Sequence, residues 1–132
     1  HGWTEFASMQ NYYNLIYREE EREMMPLCVD QGKAVTPWSP IARGYLAGAG
    51  RAAAGDNAAT VRGRTDTVQD ILRVGVGQDE AIRKRVAALA AKLGVKPAVL
   101  ALAWVLSKPF VTAPGTRRKS EISSPVKRTL SA

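Results

Sequence analysis

Residues 33–44 read KAVTPWSPIARG. The first six form a short apolar run that follows Gly32, a natural helix stop, and is closed by Ser39 and Pro40. That framing reads as a buried strand of a parallel sheet. Trp38 ends the strand, and Ser39, Pro40, Ile41, Ala42, Arg43 and Gly44 follow at once. In parallel (β/α) barrels the C-terminal ends of the strands face the active site. Trp38 there presents a ring face to a planar ligand, while Ser39, Arg43 and the loop amides receive phosphate oxygens. Spacing alone leaves a second reading open, with Trp38 in the core and Arg43 on a solvated loop.

Downstream of this strand, residues 39–77 carry seven glycines with many Ala, Arg and Asp and no sustained period. A loop of that length inside a compact domain is functional or disordered, with room for a short helix over 68–72. From 78 to 93 the pattern is regular: Ile82, Val86, Leu89 and Leu93 predict an amphipathic helix ended by Gly94. Pro97 opens a second helix through Ser107, whose Val99, Leu100, Leu102, Trp104, Val105 and Leu106 are apolar nearly all round and predict burial on most sides. Pro109 stops it, and 110–114 make a further short apolar strand.

Upstream, 6–14 (FASMQNYYN) has strand length, the charged run 18–23 suits a helical turn, and Pro26 sits at the first turn of a helix carrying Leu27 and Cys28 toward Gly32. Strands alternating with helices imply a parallel sheet. The fold class is therefore α/β: the C-terminal portion of a (β/α)8 barrel, with about three parallel strands and flanking helices. A closed barrel needs roughly 250 residues, so 132 hold only some of its units. The expected organisation is a partial barrel over 1–122, with a long Gly/Ala-rich loop at 47–77, and a basic, disordered tail over 123–132.

Composition bounds the partners. With 19 Lys+Arg against 12 Asp+Glu the net charge is +7, which favours anionic ligands without choosing among them. Much of that excess lies beyond Gly115, where Arg117, Arg118, Lys119, Lys127 and Arg128 face Glu121 alone. Cys28 is the single cysteine, so one chain has no internal disulfide and no cysteine-based metal cluster, and a reducing cytoplasm is the expected location. The first residues, HGWTE, lack the basic and apolar regions expected of a signal peptide, and the sequence holds no run of 18 apolar residues. The first residue is not Met, which suits a start inside a longer reading frame or a trimmed chain.

Ala113-Pro114-Gly115-Thr116-Arg117-Arg118-Lys119 forms a second constellation just past a strand. Gly115 permits close backbone approach, Thr116 offers a hydroxyl, and paired guanidinium groups suit a phosphate monoester. A solvated basic tail is the equally available reading.

Taken together, 8–15 (SMQNYYNL), 18–24 (REEEREM), Pro26-Leu27-Cys28, 37–44 (PWSPIARG), 102–109 (LAWVLSKP) and 114–118 (PGTRR) resemble, in one order, the aldo-keto reductases and their aryl-alcohol dehydrogenase-like branch. The resemblance covers residues 2 to about 120. It implies the sixth, seventh and eighth strands of a barrel enzyme that reduces aldehydes or ketones with NADPH. By that likeness Gln10 hydrogen-bonds the nicotinamide carboxamide and Trp38 stacks on its ring. Ser39, Pro40, Ile41 and Arg43 form the loop beside the pyrophosphate. Gly115, Thr116 and Arg117 meet the adenosine 2′-phosphate, favouring NADPH over NADH. The family's acid–base set of Asp, Tyr, Lys and His comes from the first four strands, outside this stretch. His1 does not stand in by position, and Tyr12, Tyr13 and Tyr17 read as packing. The tail departs from the pattern, because Pro125 breaks the final helix expected there.

Two other classes compete. One is a non-catalytic remnant that binds nucleotide weakly or acts only as an interaction module through exposed sheet edges. The other is a DNA-binding helix-turn-helix, imitated by 88–95 and the helix after it; the side chains from Ala98 to Leu106 that would enter the groove are apolar and cannot read base edges. The expectation is thus a nicotinamide dinucleotide as ligand, a small carbonyl or alcohol as substrate when the rest of the barrel is present, and neither nucleic acid nor membrane.

Overall fold

A computed structural model describes residues 2–48, 71–72 and 74–115. The elements within them are β1 (Ser8–Met9), a 3₁₀ turn (Glu19–Glu21), α1 (Met24–Asp30), β2 (Ala34–Val35), a 3₁₀ segment (Ala42–Ala47), α2 (Asp79–Leu93) and α3 (Pro97–Leu106).

β1 and β2 pair in parallel, Ser8 with Ala34 and Met9 with Val35, and the same register continues to a bridge between Tyr12 and Trp38. Ala34, Thr36 and Trp38 donate their N–H groups to the carbonyls of Ala7, Met9 and Asn11 at 3.1, 2.9 and 2.8 Å. On the other side of β2, Thr112 donates to the Val35 carbonyl at 2.9 Å and Gly115 to that of Pro37 at 2.7 Å. Segment 33–38 is therefore central, as its apolar run predicts. The third strand is a correction to the sequence reading: 110–114 does not form a continuous strand and is joined through these bonds and one Trp38–Gly115 bridge. Strand alternation calls for the next donor at Pro114, which has no N–H, so Gly115 supplies it one residue late.

Register divides the side chains between two faces. Met9, Tyr13 and Val35 lie on the face covered by Met25 and Cys28 of α1 and Val105 of α3, with Phe110 and Val111 at the margin. Tyr12 and Trp38 lie on the opposite face, and the same register sets Gln10 beside Thr36 there. A second core gathers Ala42, Tyr45 and Leu46 against Val74, Val86 and Ala101. α3 joins the two, with Ala101 in one and Val105 in the other.

Local chemistry explains where the helices end. Gly94 is left-handed (φ 67°), and its N–H and that of Val95 bond back to Ala91 and Ala90, which closes α2 with a Schellman motif. Pro97 lies in the first turn of α3, where its missing N–H has no intrahelical partner to lose. Which faces are buried differs from expectation. In α2 Val86 and Ala90 are buried while Leu89 and Leu93 are 47% and 40% exposed, so only half of the predicted stripe is core. In α3 Leu106 is 40% exposed and Leu100, Leu102 and Trp104 are half-buried, not enclosed on most sides.

The segment after Trp38 is also more ordered than its glycine content suggests, because 42–47 winds into the second core. Thr116, Arg117, the helix proposed near 68–72 apart from its last two residues, most of the 47–77 loop, the boundary at 122 and the 123–132 tail lie outside the described residues. Among the described residues, no single helix is long and apolar enough to cross a membrane.

Candidate functional site at the strand ends

The C-terminal ends of the three segments converge on Trp38. Its ring lies 4.7 Å from that of Tyr12, tilted by 41°, and Tyr12 in turn lies 4.9 Å from Tyr17. Trp38 is half-buried and Tyr12 buried, so the indole is backed from below by a packed phenol. Aromatic pairs at this spacing contribute about 0.5–1.5 kcal/mol beyond burial. The Tyr12 hydroxyl is itself buried without a hydrogen-bond partner among the described residues. Burial raises its pKa, and the neighbouring Asn14 side chain, then the charge of Arg43, act in the opposite sense.

Immediately past Trp38 the backbone turns left-handed three times without glycine: Ser39 has φ 53°, Ala42 φ 49° and Arg43 φ 55°, followed by Gly44 at φ 101°. Each such residue costs about 1–2 kcal/mol, and strain of this kind persists only where the surroundings over-determine it. Several contacts do so. Pro40 and Ala42 are buried, Ile41 packs against the second core, and the Ser39 carbonyl accepts the Ala42 N–H at 2.9 Å and the Asn14 side-chain amide at 3.1 Å. Asn14 is fully buried, and its Oδ1 accepts the N–H groups of Ile16 and Tyr17 at 3.0 and 3.1 Å.

Gly115 closes the site from the third segment. A Cβ at this position would stand 3.3 Å from the Pro37 carbonyl oxygen and 3.8 Å from the Trp38 Cα. Glycine therefore lets the start of the basic motif lie directly against the strand that carries Trp38.

Of the residues singled out in sequence, Trp38, Ser39, Pro40, Ile41, Arg43 and Gly115 are thus gathered around one strand end. Gln10 is exposed on the sheet face that Trp38 shares. Thr116 and Arg117 follow Gly115 beyond the described residues.

Sequence reasoning passed over Asn14 and Tyr45. An Asn placed between a strand and a charged turn is a ready Asx-turn former, which was the available signal for the first. Tyr45 donates to Glu80 at 3.0 Å and lies under Arg83, whose guanidinium is 5.9 Å from the ring centre. Burial first, then the Glu80 bond, pushes the Tyr45 pKa up to about 12, and Arg83 holds Glu80 down to about 2. This clamp ties the loop after Trp38 to the first turn of α2. No sequence pattern announces it, since the partners are far apart in the chain.

The remaining tyrosine is structural. Tyr13 stacks on Trp104 at 5.4 Å and donates to Glu21 at 2.5 Å, while Arg18 forks onto Glu21 at 2.9 and 2.6 Å. Burial leads in raising the Tyr13 pKa.

A cavity of about 590 Å³ opens at the other end of the sheet, lined by Phe6, Met9, Met24, Leu27 and Cys28 with the Glu5–Lys33 ion pair at its rim. It lies where β1 and β2 begin, whereas ligands of parallel sheets bind where strands end. The strand-end cluster is the better candidate.

Comparison with known proteins agrees with the resemblance. The sequence pattern of the Aldo/keto reductase family matches residues 1–128. A Schizosaccharomyces pombe protein named as an aryl-alcohol dehydrogenase is 50% identical over 108 residues, covering 82% of this chain and 32% of its own. The versiconal hemiacetal acetate reductase of Aspergillus parasiticus is 49% identical over 110 residues, 82% of this chain and 31% of its own. The aldo-keto reductase AMT2 of Alternaria alternata is 35% identical over 130 residues, 92% of this chain and 32% of its own. The chain thus spans about a third of the length of these relatives. Its small parallel sheet with helices on one face is consistent with part of a barrel. On the strength of the family pattern and these identities, the chain belongs to the aldo/keto reductase family.

Proposed function

We propose that this chain is the cofactor-holding portion of a cytoplasmic NADP(H)-dependent oxidoreductase that reduces aldehydes or ketones to alcohols, of the aryl-alcohol type. The observation that carries the reading is the left-handed loop 39–44, fixed against Trp38 and flanked by Gly115 at one strand end. Residues and ligand fit. Trp38, backed by Tyr12, offers a flat apolar surface for the nicotinamide, and Gln10 on the same sheet face offers an amide that matches a carboxamide as both donor and acceptor. Ser39 and Arg43 receive the pyrophosphate, with Pro40 and Ile41 holding the loop rigid beneath it. Gly115 lets Thr116 and Arg117 approach the 2′-phosphate, which Arg binds with two parallel hydrogen bonds.

When bound, the dinucleotide supplies hydride to a carbonyl carbon. The residues of this chain hold and orient it, and the proton donor is assigned to parts of the enzyme outside this stretch. Binding to the chain alone is weak, since a cofactor held by some of its walls loses contacts and preorganisation.

Calorimetric titration tests the cofactor. NADPH is expected to bind more tightly than NADH, and Arg117→Ala should narrow the difference by about tenfold, the order expected for one charge-assisted contact. Equal affinity for the two nucleotides before mutation would remove the assignment of 115–117. The reaction itself is tested in the protein that contains this stretch together with the rest of its barrel: NADPH consumption with an aromatic aldehyde supports it, and NADPH binding without turnover of any aldehyde or ketone favours a non-catalytic role.

A further inference from the structure

Ser39 is the first left-handed residue after Trp38, and its carbonyl accepts the side-chain amide of a fully buried residue 3.1 Å away. We infer that Asn14 is a positioning residue: its Nδ2 holds Ser39 in the left-handed conformation and so sets the shape of the loop that faces the ligand. The inference rests on the proposed nucleotide site for its functional meaning and on geometry alone for its structural meaning.

Three bonds converge on this one side chain. Oδ1 accepts from Ile16 and Tyr17, which fixes the plane of the amide within its own turn. With the plane fixed, one of the two Nδ2 hydrogens is aimed at the Ser39 carbonyl. The bond crosses from the end of the first strand segment to the end of the second, so the loop is referenced to the sheet and not only to its own residues. It also completes the Ser39 carbonyl, which takes the Ala42 N–H as its other donor. A serine gains nothing intrinsic from φ 53° and bears the steric cost of its Cβ there. Loss of the bond lets Ser39 relax to ordinary backbone angles, and Arg43 and the loop amides then move from their places.

Glycine at position 39 has no Cβ to strain, so it keeps the left-handed form without the anchor. A double-mutant cycle exploits this. Asn14→Asp keeps both acceptor bonds and removes the donor. NADPH affinity, read by calorimetry, should fall about tenfold or more when Asn14→Asp is made beside Ser39, and less than about threefold when it is made in a Ser39→Gly background. The urea midpoint should show the same coupling with no nucleotide present. Where the aspartate variant does not fold in either background, Asn14→Ser, which retains a turn-forming oxygen and is too short to reach Ser39, is judged by the same criterion.

Equal losses of urea midpoint in the two backgrounds, or no loss in either, overturn the inference. In a chain that binds NADPH, coupling in stability without coupling in affinity overturns it as well. A parent chain that binds no NADPH refutes the proposed function instead, and the ligand-free cycle still decides whether Asn14 holds Ser39.

Discussion

Trp38 was legible in the sequence because an aromatic residue between an apolar run and Ser-Pro is a local pattern. Its support was not, since Tyr12, Asn14 and the left-handed loop meet it only through strand register and tertiary contact. The Tyr45–Glu80–Arg83 clamp is of the same kind and makes a prediction about pH. An unfolded Glu80 takes up a proton near 4.5, whereas the folded one resists to about 2. Its stabilising effect is present above the higher value and lost as pH falls through that window. An unfolded Tyr45 loses its proton near 10 and the folded phenol near 12, so stability is lost as pH rises between them. Urea midpoints measured against pH should show both limbs, with Glu80→Gln reducing the acid one, to which Glu21 also contributes, and Tyr45→Phe reducing the alkaline one, to which Tyr13 also contributes. A Glu80→Gln profile parallel to that of the parent below pH 4.5 would mean the clamp contributes nothing.

Among the elements, ends were easier to read than faces. Gly94 and Pro97 mark boundaries by backbone chemistry that belongs to the residue itself, and both stand where expected. The buried face of α2 depends on what the helix meets, and it meets α3 and the 42–47 segment through Val86 and the partly covered Ile82, with Ala90 also buried. The third strand failed as a continuous strand for a reason present in the sequence, the missing N–H of Pro114, although its position did bring Gly115 to Trp38. These differences can be ranked by denaturation. Gly94→Ala should cost about 1 kcal/mol, from a Cβ forced into a left-handed cap. Met25→Ala, emptying a site that is 1% exposed, should cost about 2–5 kcal/mol. Leu89→Ala should fall within about 0.5 kcal/mol, because almost half of that side chain is already in water. A large loss at Leu89 would show that the predicted stripe, not the observed one, is the buried face.

For the molecule as a whole, the parallel sheet, the order of its segments and the family were legible, because several separate motifs fell in one order along the chain. The net charge of +7 was legible too, and it bears on ligand binding through screening. NADPH affinity should weaken as ionic strength rises from low salt to physiological levels, where the screening length contracts to about 8 Å; an affinity indifferent to salt would argue against phosphate contacts as its source. The strand ends around Trp38 are proposed to hold a nicotinamide ring. Trp3 and Trp104 lie away from that site, one exposed near the start of the chain and the other stacked on Tyr13 between Arg18 and Lys108. The direct measurement is tryptophan emission during NADPH titration of the parent chain and of Trp38→Ala. A saturable quench is expected in the parent and its loss in Trp38→Ala; an equal quench in both would mean that the nicotinamide does not lie on Trp38.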